Sequence, residues 1–126
     1  MKLTKFSNVI CIILFIVSVF AASTGFAQWS TDIRHTNNAG FSFTSGNNAK
    51  NIEFSGTSNV HTVWYDARFR DTEIMYKRST DNGATWEAVV RLTNNAGASE
   101  LPSIAASGSN IHVVWQDQRD GNFEIY

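Results

Sequence analysis

Along Trp86-Glu-Ala-Val-Val-Arg-Leu-Thr93 the residues fall on two faces, with Trp86, Ala88, Val90 and Leu92 on one and Glu87, Val89, Arg91 and Thr93 on the other. A period of two sends alternate side chains to opposite faces of a strand, so this run predicts a strand with one wet face. Ile111-His-Val-Val-Trp115 is largely apolar on both faces and predicts a strand covered on both sides by neighbouring sheets. Leu101 to Ser107 precedes it across a Gly108-Ser-Asn110 turn, and Phe123-Glu-Ile-Tyr126 follows it across the polar loop from Asp117 to Asn122. Beyond the N-terminal stretch, no segment carries the 3.6-residue period of an amphipathic helix. The pattern predicts an all-β chain of short antiparallel strands.

The chain also repeats itself. Arg34-His-Thr-Asn-Asn-Ala-Gly40 recurs as Arg91-Leu-Thr-Asn-Asn-Ala-Gly97, with six of seven positions identical and an offset of 57 residues. Val60 to Met75 recurs as Ile111 to Tyr126 at an offset of 51, keeping His61/His112, Trp64/Trp115, Asp66/Asp117, Arg68/Arg119 and Glu73/Glu124. The first copy therefore has six extra residues between Gly40 and Val60, and the Ser-, Thr-, Asn- and Gly-rich stretch Phe41 to Lys50 reads as an enlarged loop. A period in the fifties built from short strands is the pattern of a β-propeller blade or a similar array. Copies run roughly over 34–90 and 91–126. Each unit orders its strands as Leu101 to Ser107, Asn110 to Trp115, Phe123 onward, and a fourth known from Trp86 to Thr93. Trp29 to Arg34 is then the counterpart of Trp86 to Arg91, so the mature chain is expected to open on a fourth strand and to reach Tyr126 inside a third.

Composition narrows the setting. Residues 1–27 have a basic start (Lys2, Lys5), an apolar run from Val9 to Ala22, and small residues Gly25 and Ala27 at the −3 and −1 positions of a cleavage site. The apolar run is 14 residues long, against roughly 20 for a helix that spans a bilayer. This reads as a cleaved export signal, which leaves 28–126 as the mature domain, outside the cell, at its surface or in a periplasm, with no membrane span. With 10 Lys+Arg and 11 Asp+Glu, less the two signal lysines, the mature chain is acidic and has no basic footprint for nucleic acid. The single cysteine, Cys11, lies within the signal, so the mature chain has no disulfide, thiolate metal site or cysteine nucleophile.

Ser79-Thr-Asp-Asn-Gly-Ala-Thr-Trp86 joins the third and fourth strands of the complete copy. It makes physical sense as a hairpin: Asp81 accepts hydrogen bonds from its own turn, Gly83 supplies a positive φ, Ser79 caps a neighbouring group, and Trp86 lays its ring beneath the turn. At Ser79, Asp81, Gly83, Thr85 and Trp86 the segment resembles the Asp-box, or bacterial neuraminidase repeat, Ser-x-Asp-x-Gly-x-Thr-Trp. Trp64-x-Asp66-x-Arg68 followed by Glu73-Ile-Met-Tyr76 is similar to the repeat that accompanies Asp-boxes in sialidase-like β-propellers. The resemblance covers essentially all of 28–126 and implies an incomplete propeller of about two four-stranded antiparallel blades. In that family Asp-boxes are structural turns on the side opposite the catalytic mouth.

The family's catalytic set consists of an arginine triad for the substrate carboxylate, a Tyr–Glu nucleophile pair and an aspartate acid/base. Guanidinium forks suit a carboxylate, and a tyrosine avoids bringing a second carboxylate to an anionic sugar. The Phe/Tyr-Arg-Ile-Pro segment that supplies the first arginine is absent, Phe69-Arg70-Asp71 is a poor substitute, and no catalytic residue carries over. Positional candidates for a ligand face are Asp66, Arg68, Arg70 and Asp71 in one loop and Asp117, Arg119 and Asp120 in the other. Residues repeated in both copies are expected to staple turns rather than perform one asymmetric reaction. Arg70 and Asp71, replaced by Gly121 and Asn122 in the second copy, are the more informative pair. His61 and His112 are repeat partners on apolar strands and read as packed, hydrogen-bonded residues; His35 is replaced by Leu92. No spacing gathers three ligands within one turn, so neither a metal nor a cofactor is expected.

The favoured reading is an exported, non-catalytic binding or surface-display module with glycans or another cell-surface ligand as partner. Its alternatives are the N-terminal part of an exo-sialidase whose catalytic residues lie mostly beyond Tyr126, and a non-binding spacer. Bare sheet faces are expected to be covered by further blades of the same chain or by self-association. Mass spectrometry of the exported product is expected to give a chain beginning at Gln28; a secreted product that keeps Met1 would overturn the signal reading.

Overall fold

The antiparallel hairpin is the unit of assembly. In the computed structural model, which describes residues 31–46 and 49–126, eight strands follow one another: β1 (Ser42–Phe43), β2 (Ile52–Ser55), β3 (Asn59–Asp66), β4 (Glu73–Ser79), β5 (Val90–Arg91), β6 (Ser99–Ser107), β7 (Asn110–Asp117) and β8 (Glu124–Ile125). There is no helix among the described residues, and every strand pair is antiparallel. The fold is all-β. The export-signal reading and Trp29 lie outside the described residues, and among the described residues no helix is long and apolar enough to cross a membrane.

β4 lines one edge of β3 from Val60 to Asp66, so β1 and β2 share the other edge, β2 against Asn59–Thr62 and β1 against Tyr65–Asp66. The first strand of this sheet is thus broken in two, and β5 adds the last position beside β4. The second sheet runs β6-β7-β8. Register locates the six extra residues. Ser42 pairs with Asp66 as Ser99 pairs with Asp117, an offset of 57, whereas Ile52 pairs with Thr62 as Ile104 pairs with Val113, an offset of 52. Five extra residues therefore sit between β1 and β2, and the sixth lengthens the β2–β3 turn. The second copy breaks its first strand at the same level by a bulge between Glu100 and Ser103, where Leu101 takes φ 51° and Pro102 has no N–H to give the ladder.

β6 packs against β3, β2 and β4, and the core between the sheets contains Val60, Val63, Trp64, Ile74, Met75 and Ile104. The broken strand stitches this contact. Lys50 O accepts the Ile104 N–H at 2.9 Å, while Ser45 Oγ and Asn51 Nδ2 donate to Pro102 O at 2.6 and 3.2 Å. These bonds satisfy backbone groups that the break and the bulge would otherwise leave unpaired.

Several expectations need correction. Trp86 to Thr93 is not one continuous strand. Only Val90–Arg91 completes the ladder, because Glu87 N bonds Arg78 O while Val90 faces Tyr76, one residue out of step. Of the two faces of this run, the one with Val90 and Leu92 is the more open: they are 48% and 40% exposed, and Thr93 is buried. Periodicity says which side chains share a face; the hydrogen-bonding of Thr93, described below, decides which face turns inward. On β7 the apolar pattern is likewise covered incompletely, with Val114 50% exposed while Val63, its counterpart on β3, is wholly buried. β3 lies in the sheet that β6 covers, and among the described residues no third sheet covers β7. Residues 31–37 contain no strand, so the described part of the expected opening strand joins no ladder.

Ile74→Ala removes a fully buried side chain and is expected to cost about 2–5 kcal/mol. Val114→Ala is expected to cost under about 1 kcal/mol. Thermal denaturation of the two variants checks the contrast; equal losses would contradict this placement of the core.

Candidate functional site

Each β-hairpin that leads from the second to the third strand begins at a buried aspartate. Asp66 Oδ2 accepts from Asn38 Nδ2 (3.0 Å), Ser42 Oγ (3.0 Å), Trp64 Nε1 (3.4 Å) and Arg68 Nη2 (2.6 Å), and Oδ1 accepts from the Arg68 N–H (2.9 Å). Asp117 repeats the arrangement with Asn95 (3.2 Å), Ser99 (2.7 Å), Trp115 (3.0 Å) and Arg119 Nη2 (2.7 Å) on Oδ2. The Arg119 N–H (2.9 Å) and Nε (3.0 Å) serve Oδ1. Both carboxylates are fully buried. The glycine that ends each Asn-Asn-Ala-Gly segment lies against this turn: a Cβ on Gly97 would come within 2.4 Å of Arg119 N, and one on Gly40 within 2.7 Å of Arg68 N.

The electrostatics follow from the donors. The Arg119 hydrogen bonds hold the Asp117 carboxyl far below the usual carboxylate range, against the opposing effect of burial. For Asp66 burial is the largest influence and raises the value, but the bonds from Arg68, Ser42 and Trp64 together outweigh it and leave the carboxyl below its ordinary value. Arg119 grips with two side-chain nitrogens, Arg68 with one, and Arg68 Nε is buried without a protein partner. A bidentate fork is the stronger of the two.

A third buried carboxylate joins β4 to β5. Glu73 accepts from Arg91 Nη2 (2.5 Å) and Thr93 Oγ1 (2.5 Å), and Thr93 Oγ1 also takes the Ile74 N–H (2.8 Å), ending the ladder with a side chain in place of a carbonyl. Arg91 further donates from Nε to Thr93 O (2.7 Å) and lays its guanidinium 3.8 Å over the Phe69 ring. This group was not singled out by sequence, although Arg-x-Thr in the repeated heptad was the signal for it.

The Ser79–Trp86 hairpin is closed by its own side chains. Asp81 accepts from Ser79 Oγ (2.7 Å), the Thr85 N–H (2.8 Å) and Thr85 Oγ1 (2.5 Å), which lower its carboxyl to about 2, with Thr85 the principal cause. Ser79 Oγ accepts the Gly83 N–H at 2.8 Å, Gly83 has φ 89°, and Trp86 Nε1 donates to Gly83 O at 3.0 Å. Trp86 is half-buried, with the His35 ring edge-on at 4.4 Å. His61 is buried between Ser55 Oγ (2.8 Å from Nε2) and Tyr76 OH (2.6 Å from Nδ1), and burial followed by the charge of Arg78 lowers its pKa. His112, its repeat partner, is exposed.

The remaining candidates lie at the surface. A groove of about 440 Å³ runs between the β3–β4 loop and the β5–β6 connection, lined by Phe69, Arg70, Asp71, Arg91 and Asn94. The Arg70 side chain is 91% exposed and approaches Asp71 at 3.8 Å. Asp120 accepts the Tyr126 hydroxyl, and Arg119 lies 3.9 Å over the Tyr126 ring. Of the seven loop candidates, Asp66, Arg68, Asp117 and Arg119 are thus bound into the two staples, while Arg70 and Asp120 are exposed and Asp71 is half-buried. Among the described residues no group of three or more His, Cys, Asp or Glu is placed to hold a metal ion.

The chain matches no family model, no curated protein and no solved structure.

A carboxyl whose folded value lies below its unfolded value contributes stability in full above the ordinary aspartate range, about 3.9, and loses it as pH falls through the lowered value. Asp117→Asn is expected to cost about 3 kcal/mol at pH 7. It is also expected to flatten the acid side of a plot of melting temperature against pH. A variant that loses as much stability in acid as the wild type would contradict the assignment.

Proposed function

We propose that this chain is an exported Asp-box β-propeller module that binds a ligand, glycans being the class to test first, and does no chemistry of its own. The observation that carries the reading is the division of labour in the loops. The aspartates and arginines that recur in both copies are consumed by buried, saturated staples, and a carboxylate surrounded by five or six donors has no capacity left for acid or base work. Arg70 and Asp71, which do not recur, lie outside the staples at the rim of a groove with an aromatic wall, Phe69, and approach each other at 3.8 Å. Exposed donors and acceptors beside an aromatic ring suit a hydroxylated, partly apolar ligand such as a sugar. The Ser79–Trp86 hairpin supports the Asp-box reading through its internal hydrogen bonds, and the strand order of the two sheets supports the blade reading.

The mature chain on a broad glycan array is expected to retain a discrete set of sugars. Arg70→Ala is expected to weaken that binding at least tenfold while leaving the melting temperature unchanged, because the side chain is 91% exposed. Absence of any glycan binding, equal binding by the variant, or measurable glycosidase turnover by the purified chain would overturn the proposal.

A further inference from the structure

Period two places Glu53 and Ser55 of β2, Asn59, His61 and Val63 of β3, and Tyr76 and Arg78 of β4 on one face of the first sheet. At Val63 this face is core. Toward the start of β3 it opens into a cavity of about 410 Å³, whose other wall is Gly108, Ser109 and Ile111 of the second copy. The cavity and the groove beside Arg70 lie at opposite ends of β3.

Three of the lining groups form a hydrogen-bonded chain, Ser55 Oγ to His61 Nε2 at 2.8 Å and His61 Nδ1 to Tyr76 OH at 2.6 Å. The two links use one hydrogen each, whereas a neutral imidazole with two hydroxyl partners carries three. A phenol is a stronger acid than an aliphatic alcohol, so Tyr76 donates to Nδ1 and the Nε2–H donates to Ser55 Oγ. The hydrogen left over is the Ser55 hydroxyl's, and among the described residues it has no acceptor. In this tautomer Nε2 is already protonated and takes no proton from Ser55, so the chain orients a donor and does not make a nucleophile.

More donors converge on the same space. Arg78 gives Nε and Nη2 to Glu87 Oε1, at 3.1 and 2.7 Å, which leaves Nη1 without a partner among the described residues. The Asn59 amide, 3.9 Å from where Gly56 would carry a Cβ, is also uncommitted among them. The carboxylates whose charge reaches His61 are engaged elsewhere, Glu53 with Lys50 (2.6 Å) and the Phe54 N–H (2.9 Å), Glu87 with Arg78. The lining thus holds two basic side chains and no Asp or Glu, unlike the groove beside Arg70, which contains Asp71 and Glu73.

We propose that this cavity is a binding site for an oxyanion, the phosphate, sulfate or carboxylate group of a small ligand, seated on the Ser55 hydroxyl, the Asn59 amide and Arg78, with His61 as the positioning residue behind Ser55. The site is independent of the sugar-binding reading. Burial, then the charge of Arg78, holds His61 below its ordinary value, while Glu53 and Glu87 act in the opposite sense. A bound anion favours the charged ring, so binding takes up a proton and tightens as pH falls.

Calorimetry of the purified chain with sodium sulfate, which does not titrate near neutral pH, tests this, with the His61 ring followed by NMR and sodium acetate as a second series. Saturable binding is expected, by sulfate alone if the seat is tetrahedral and by acetate alone if it is planar. Affinity is expected to rise about tenfold for each unit of pH through the range in which binding protonates His61. Arg78→Gln, at a side chain 44% exposed and so without consequence for the fold, is expected to weaken binding at least tenfold, as is Ser55→Ala. His61→Gln is expected to remove the pH dependence, which a merely structural role would leave in place. A His61 ring that neither anion perturbs, an affinity that stays flat as pH falls, or an Arg78→Gln variant that binds like the wild type would each end the assignment.

Discussion

A carboxylate removed from water must be met by donors, and that requirement organises this protein. Asp66 and Asp117 each end a central strand, and besides the indole on that strand each gathers donors from three other places: the connection that enters the sheet, the first strand, and the loop that leaves toward the third. One buried charge thereby fixes three segments that have little apolar surface of their own. The close approach of Gly40 and Gly97 to the arginine backbones, the indole orientation of Trp64 and Trp115 and the direction of both loops all follow from it. With a small hydrophobic core and no disulfide, specificity of shape rests heavily on these polar contacts.

The hairpins were legible because they depend on local chemistry. Gly108 takes a positive φ at the turn placed there by sequence, and Ser79 to Trp86 closes through its own hydroxyls and carboxylate. The face that Val90 and Leu92 present was not legible, since alternation is symmetric between the faces and the decision belongs to Thr93, whose hydroxyl is tied to Glu73, twenty residues away in the chain. The staples were half legible. The recurrence of Thr-Asn-Asn-Ala-Gly announced a shared role, but only the register of β1 on β3 and of β6 on β7 brings Ser42 and Ser99 beside their aspartates.

Repetition and availability are opposed in these loops for a physical reason. An Asp–Arg pair that closes a turn with full hydrogen bonding cannot also serve a ligand without exposing a desolvated charge. Residues used in every copy are therefore the least free to act elsewhere. Chemistry that distinguishes one loop from another is left to positions such as Arg70 and Asp71, which the staple carries at the surface without employing them.

The break between β1 and β2 has a related consequence. Five of the six residues by which the copies differ are absorbed there, yet Ser42 and Ile52 keep the pairings of Ser99 and Ile104. Each flank is held by its own ladder, one ending at a staple and the other at a hairpin turn, so added length changes neither register. Closing a somewhat longer loop costs little, about 0.6 kcal/mol for each doubling. The break is an expansion joint, a place where the chain can grow toward the neighbouring sheet while the frame around it stays in step.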